Sequence, residues 1–144
     1  MNSRLLLFLA LWACLGLAHG AGPSSDSLLA AAQKTFEQAD VMAEEGRSAD
    51  AKRRFQSTRK ILDKLRSQTA SSIDVDALRA QTFLMEAAVT VDLGQKAAAK
   101  TLFEQAIAAY DDLGRRDPKN PQWKQAGKVA RHTLRNIDAF SGKN

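Results

Sequence analysis

Few residues in this chain have side chains suited to catalysis or metal binding. Two histidines, His19 and His132, and a single cysteine, Cys14, occur among 144 residues. His132 falls opposite Trp123 and Ile137 on the last helical pattern, so it is expected to face solvent. One exposed imidazole without thiolates is a poor metal site, because zinc needs three or four converging ligands. No Gly-rich phosphate loop, Gly-x-Ser-x-Gly elbow or His-Glu-x-x-His pattern is present. Carboxylates pair at Glu44-Glu45, at Asp74 and Asp76, and at Asp111-Asp112. Each pair adjoins a helix end or turn, where a solvated acid is routine, so they read as helix-end charges and not as an acid–base couple. No catalytic residue, metal site or cofactor is assigned, and enzymatic activity is not expected.

Cations are more plentiful. Lys52, Arg59 and Arg66 form one stripe on the second helical segment, with Arg53, Lys60 and Lys64 beside it. Lys124, Lys128, Arg131 and Arg135 line the polar side of the last segment. Such faces suit an anionic envelope polymer or lipid headgroup, or they simply keep a domain in solution. Nucleic acid is not an expected partner, because the stripes lack interleaved aromatics.

The elements that must position these groups begin after a leader-like segment. Met1 to Arg4 give a positive start, Leu5 to Ala18 an uncharged apolar run, and Ala18-His19-Gly20 a small-residue cleavage site. This layout reads as a secretory signal spanning residues 1–20 and cleaved after Gly20. The run is shorter than the roughly 20 residues of a spanning helix, so no transmembrane segment is expected in the mature chain. Leu11-Trp12-Ala13-Cys14 loosely matches a lipoprotein signal, but the bulky Trp12 and the apolar residues after Cys14 argue against lipidation. The expectation is an exported protein, periplasmic in a Gram-negative bacterium and otherwise secreted. Past residue 20 the chain has no cysteine and so no disulfide; it keeps 20 basic against 16 acidic residues.

Residues 21–26 (AGPSSD) read as a flexible spacer, 27–140 as one helical domain and 141–144 as a disordered tail. Leu28, Leu29, Ala32, Phe36, Ala39 and Ala43 recur at helical steps up to Gly46, a left-handed cap. Ser48 offers an N-cap to a second helix carrying Ala51, Phe55, Thr58, Ile61, Leu62 and Leu65. Ser71-Ser72-Ile73-Asp74 offers a capping pair for a third, which is apolar around most of its circumference and ends at Gly94. Lys96 to Leu113 gives a fourth, the stretch from Gly114 to Asn120 a turn, and Asn120-Pro121 a strong start for a fifth. The fifth helix aligns Trp123, Ala126, Val129, Ala130, Thr133, Leu134, Ile137 and Phe140. No strand is expected.

Residues 37–65 repeat in 85–113. At an offset of 48, nine positions are identical: Ala39 with Ala87, Val41 with Val89, Gly46 with Gly94, Ala49 with Ala97, Ala51 with Ala99, Lys52 with Lys100, Phe55 with Phe103, Asp63 with Asp111 and Leu65 with Leu113. Each unit is a helix, a Gly turn, and a helix whose Ala permits close approach while its Phe fills the space one turn later. Such hairpins hide their apolar faces only by stacking.

The chain therefore resembles the tetratricopeptide-repeat family, on Ala39, Gly46, Ala51 and Phe55, then Ala87, Gly94, Ala99, Phe103 and Ala106. Trp123, Ala126, Gly127 and Ala130 are similar to that family's opening signature, with Ala where it has Leu and Tyr. The resemblance implies an all-α fold of stacked antiparallel hairpins, about two and a half repeats over five helices. The family's unit is about 34 residues, so the longer spacing here predicts an insertion near Arg66–Asp74, as extra helix or loop. The resemblance also implies a concave face that holds a partner protein or peptide. Its matching positions are Gln33, Asp40, Gln81, Leu84, Ala88, Asp92, Lys124, Lys128 and Arg131. So short a stack is expected to form a homodimer or larger complex that covers the third helix.

Overall fold

The computed structural model describes residues 23–70 and 72–137. Five helices follow one another: α1 (Pro23–Glu44), α2 (Ser48–Gln68), α3 (Ile73–Asp92), α4 (Lys96–Arg116) and α5 (Pro121–Arg135). There is no strand among the described residues, and the fold is all-α, built from stacked helical hairpins. The leader-like segment, Phe140 and the tail lie outside the described residues.

Each hairpin turns on one glycine. Gly46 and Gly94 have φ of 75° and 72°. Gly46 N–H donates to Ala43 O and Arg47 N–H to Met42 O; Gly94 N–H donates to Val91 O and Gln95 N–H to Thr90 O. These are two copies of one Schellman closure, which satisfies carbonyls that a helix end would otherwise orphan. At α5, Asn120 Oδ1 accepts from Gln122 N–H at 3.0 Å ahead of Pro121.

The remaining boundaries differ from the sequence reading. Helix α1 starts at Pro23, so most of the expected spacer forms its first turn. Ser48 is already helical: Arg47 holds the cap position and makes no side-chain cap bond, nor does Ser72 before α3. Helix α4 runs through Gly114 to Arg116. Near Arg66–Asp74 only a short connection joins α2 to α3, so the extra length there is helix and not loop. The long repeat comes from long helices of 20 to 22 residues in both hairpins. Helix starts keep the repeat too: Ser48 to Lys96 and Ile73 to Pro121 are each 48 residues apart.

Two apolar clusters form the core. One joins Ala32, Phe36 and Ala39 to Ala51, Phe55, Leu62 and Leu65, and takes Val75, Leu78, Met85 and Val89 from α3. The other takes Ala80, Phe83, Leu84 and Ala87 from α3 and joins them to α4 and to Trp123, Ala126, Ala130 and Ile137. Ala51 and Ala99 are fully buried, each followed one turn later by a buried Phe, and Phe36 tilts against Phe55 at 5.5 Å between ring centroids. Helix α3 thus lies within its own chain, covered by α1, α2 and α4.

Substituting alanine at Gly46 or Gly94 adds a Cβ that meets nothing within 4 Å. The cost is therefore confined to the left-handed backbone, about 1–2 kcal/mol. Urea titrations of Gly46→Ala and Gly94→Ala are expected to show losses of that size and equal to each other. A loss confined to one variant would contradict the equivalence of the two turns.

Candidate functional site

The repeat register sorts the helix faces. Gln33 and Asp40 on α1 correspond to Gln81 and Ala88 on α3, and these positions share one stripe. Gln33, Asp40 and Gln81 are half-buried there, while Ala88 and Asp92 are exposed. Leu84 does not belong with them. It takes the register of Phe36 and is buried in the second core cluster.

The three cations of α5 also leave the stripe. Lys124, Lys128 and Arg131 correspond to Asp76, Ala80 and Phe83 of α3, which face α4 or the side near it. Arg131 is bound to Asp111 of α4 at 2.5 Å, whereas Lys124 and Lys128 are exposed. Gly127 is buried at this contact, and a Cβ there would stand 3.3 Å from Arg131 Nη1 and 3.6 Å from Tyr110 Cβ. The stripe's counterparts on α5 are Val129 and Asn136.

The α2 cations behave differently from either sequence reading. The Arg59 side chain meets Glu86 of α3 with Nε 2.7 Å from Oε2, and its Nη2 donates to Oε1 at 3.2 Å. Arg66 Nε lies 2.9 Å from Asp76, which also receives Arg116 Nη1 from α4 at 2.6 Å. Arg79 of α3 returns the exchange to Asp63 at 3.0 Å. Lys52 Nζ donates to Gln95 Oε1 at 2.5 Å. The numbers rise along α2 as they fall along α3, as an antiparallel pair requires. Thus the stripe from Lys52 to Arg66 is turned into the structure, and only Lys60 and Lys64 beside it remain exposed without an ion pair among the described residues.

Sequence periodicity missed Glu86 and misjudged Asp76. Glu86 is 1% exposed and Asp76 8%, although the latter reads as a helix-end acid. The available signal for Glu86 was one carboxylate in an otherwise apolar run of a helix expected to be sandwiched. Two guanidiniums also lie over the Phe83 ring: Arg59 is 5.1 Å and Arg79 4.7 Å from its centroid. Among the described residues, no three His, Cys, Asp or Glu side chains converge as for a metal ion.

Burial raises the Glu86 pKa, and Arg59, a Gln56 hydrogen bond and Lys52 offset this only in part. Asp40 is raised by burial and then by Glu44, which lies on the same helix. Asp92 is exposed overall, yet protein bulk around its carboxyl raises it as well.

A carboxyl raised in the folded state holds its proton there after the unfolded chain has released it. Stability therefore falls as pH rises from about the ordinary value of 4.5 through the raised one. Replacing Glu86 by Gln keeps an acceptor for Arg59 and removes this slope. Urea midpoints between pH 4 and 7 should show the wild type losing ground to Glu86→Gln as the pH climbs. Parallel curves would refute the assignment.

No family model matches the chain, and no curated protein or solved structure is similar to it at a significant level.

Proposed function

We propose that this chain is an exported scaffold of tetratricopeptide type, which holds a partner protein or peptide along the stripe formed by α1 and α3. The observation that carries the reading is how the polar groups are divided. Described ion pairs between helices join α2 or α4 to α3 or α5. The Asp40 and Asp92 carboxylates have no ion-pair partner among the described residues, and Ala88, at the repeat position of Asp40, is exposed. A stripe with carboxylates unspent on the fold, beside the exposed Ala88, suits an extended or helical peptide. The partner surface it fits is polar, because Val41 is the one large hydrophobic residue exposed among those described, at 53%. No described helix is long and apolar enough to cross a membrane. Export rests on the leader-like segment 1–20.

A second reading has its own support. Lys124 and Lys128 are exposed without ion pairs among the described residues, and Arg135 lies exposed beyond them on the same helix. This side of α5 could meet anionic envelope polymer or lipid headgroups through charge alone, with strong dependence on salt. The α2 stripe does not contribute, since its cations are engaged within the protein.

Two charge-reversal pairs separate the readings. Crosslinking in the native envelope fraction should give a defined adduct that Asp40→Lys with Asp92→Lys abolishes and Lys124→Glu with Lys128→Glu leaves intact. The reverse pattern, with binding that collapses in added salt, would move the function to α5.

A further inference from the structure

On the side of α3 turned away from Ala88, a cavity of about 350 Å³ opens between α2 and α4. It is lined by Arg66, Asp76, Arg79 and Phe83, with Gln105, Ala108, Ala109 and Asp112 from α4. Its size falls at the small end of ligand cavities, about 300–1,000 Å³. The α3 side chains at its edge are not those of the repeat. Asp76, Arg79 and Phe83 correspond to Leu28, Ala31 and Thr35 in α1, and to Lys124, Gly127 and Arg131 in α5. The repeat therefore does not dictate Asp76 and Arg79, whereas Phe83 is also a core side chain. A departure from the repeat is a place to look for residues that function sets.

The wall has both signs of charge and an apolar part. Arg79 lies 4.7 Å from the Phe83 ring centroid and bonds Asp63 through Nε, so its two terminal nitrogens keep donors without a hydrogen-bond partner among the described residues. Asp63 is itself a loose partner, with 57% of its side chain exposed. Asp112, on the opposite wall, is only half covered and bonds Arg115 and Arg116 at 3.1 Å each. Ala108, Ala109 and Phe83 supply carbon surface next to these charges. We propose that this cavity binds a small zwitterion of the free amino-acid class. Its carboxylate sits on the terminal nitrogens of Arg79, its ammonium faces Asp112, and a short apolar side chain lies against Ala108 and Ala109. A planar guanidinium fork is well matched to a carboxylate. Carrying two arginines and two aspartates, the lining is balanced, so it favours a ligand with both charges over either alone. The site is separate from the α1–α3 stripe, and its occupancy does not rest on the scaffold reading.

Titration of the full chain with L-valine, isovalerate and isobutylamine, followed by amide NMR, tests this directly. The three probes share a branched carbon body and differ in carrying both charges, the carboxylate alone or the ammonium alone. L-Valine should shift the amides of Gln105, Ala108 and Ala109 saturably, and each singly charged probe should bind about tenfold more weakly or worse. Arg79→Gln should weaken L-valine binding by a similar factor. Asp63→Asn, a change at an exposed position, should strengthen it by releasing Arg79. Should Arg79→Gln disturb folding, Asp63→Asn decides alone, and an unchanged affinity in it overturns the proposal. Absence of saturable shifts, or equal binding of all three probes, overturns it as well.

Discussion

Both halves of the core run through α3. Val75, Leu78, Met85 and Val89 close the first hairpin's cluster, while Phe83, Leu84 and Ala87 open the second. A helix that supplies side chains to two clusters cannot be displaced without uncovering apolar surface on both sides, at about 25 cal/mol for every Å² exposed. The two hairpins therefore depend on this one helix far more than on each other. Close approach is what makes the arrangement possible. Ala39, Ala51, Ala87 and Ala99 are fully buried and leave room for the phenylalanines that fill the intervening space.

The charged seam between α2 and α3 adds selectivity to that packing. Buried ion pairs return little net stability, since desolvation offsets most of the attraction. Their leverage lies in alignment. Sliding α3 by one residue along α2 would part Glu86 from Arg59 and Asp76 from Arg66 at once, leaving charges unmatched where water is scarce. Apolar contacts between two long helices tolerate several offsets; this pair of contacts tolerates one.

Local signals were readable from the chain. The left-handed turns at Gly46 and Gly94, the Asn120 cap and the Ala–Phe pairs each follow from a few adjacent residues and hold in the structure. The apolar circumference of α3 likewise announced its burial. What escaped the sequence depends on how helices meet. Helical spacing shows that Lys52, Arg59 and Arg66 share a face but not that this face looks toward Glu86, Asp76 and Gln95. A spacing of 48 shows extra length without telling whether it lies in a loop or in the helices. Of the residues expected along the groove, Gln33, Asp40, Gln81, Ala88 and Asp92 keep a common register. Leu84, Lys124, Lys128 and Arg131 part from it, because one helix's short motif does not set its rotation against the next.

The register also compares the edges of the stack with its middle. Val75, Leu78, Thr82, Met85, Glu86 and Val89, by which α3 meets the first hairpin, are all buried; their counterparts on α1 are Ser27, Ala30, Lys34, Glu37, Gln38 and Val41, all exposed. At the other edge, Ala77, Ala80, Leu84 and Ala87 give way to Gln125, Lys128, His132 and Arg135. Repetition of one unit carries a hazard: any copy's front can dock on another copy's back, and a head-to-tail contact that does not close grows into a fibre. Among the described residues, front and back are mostly polar where the interior is apolar, so the contacts that build the interior are not repeated at the ends of the stack.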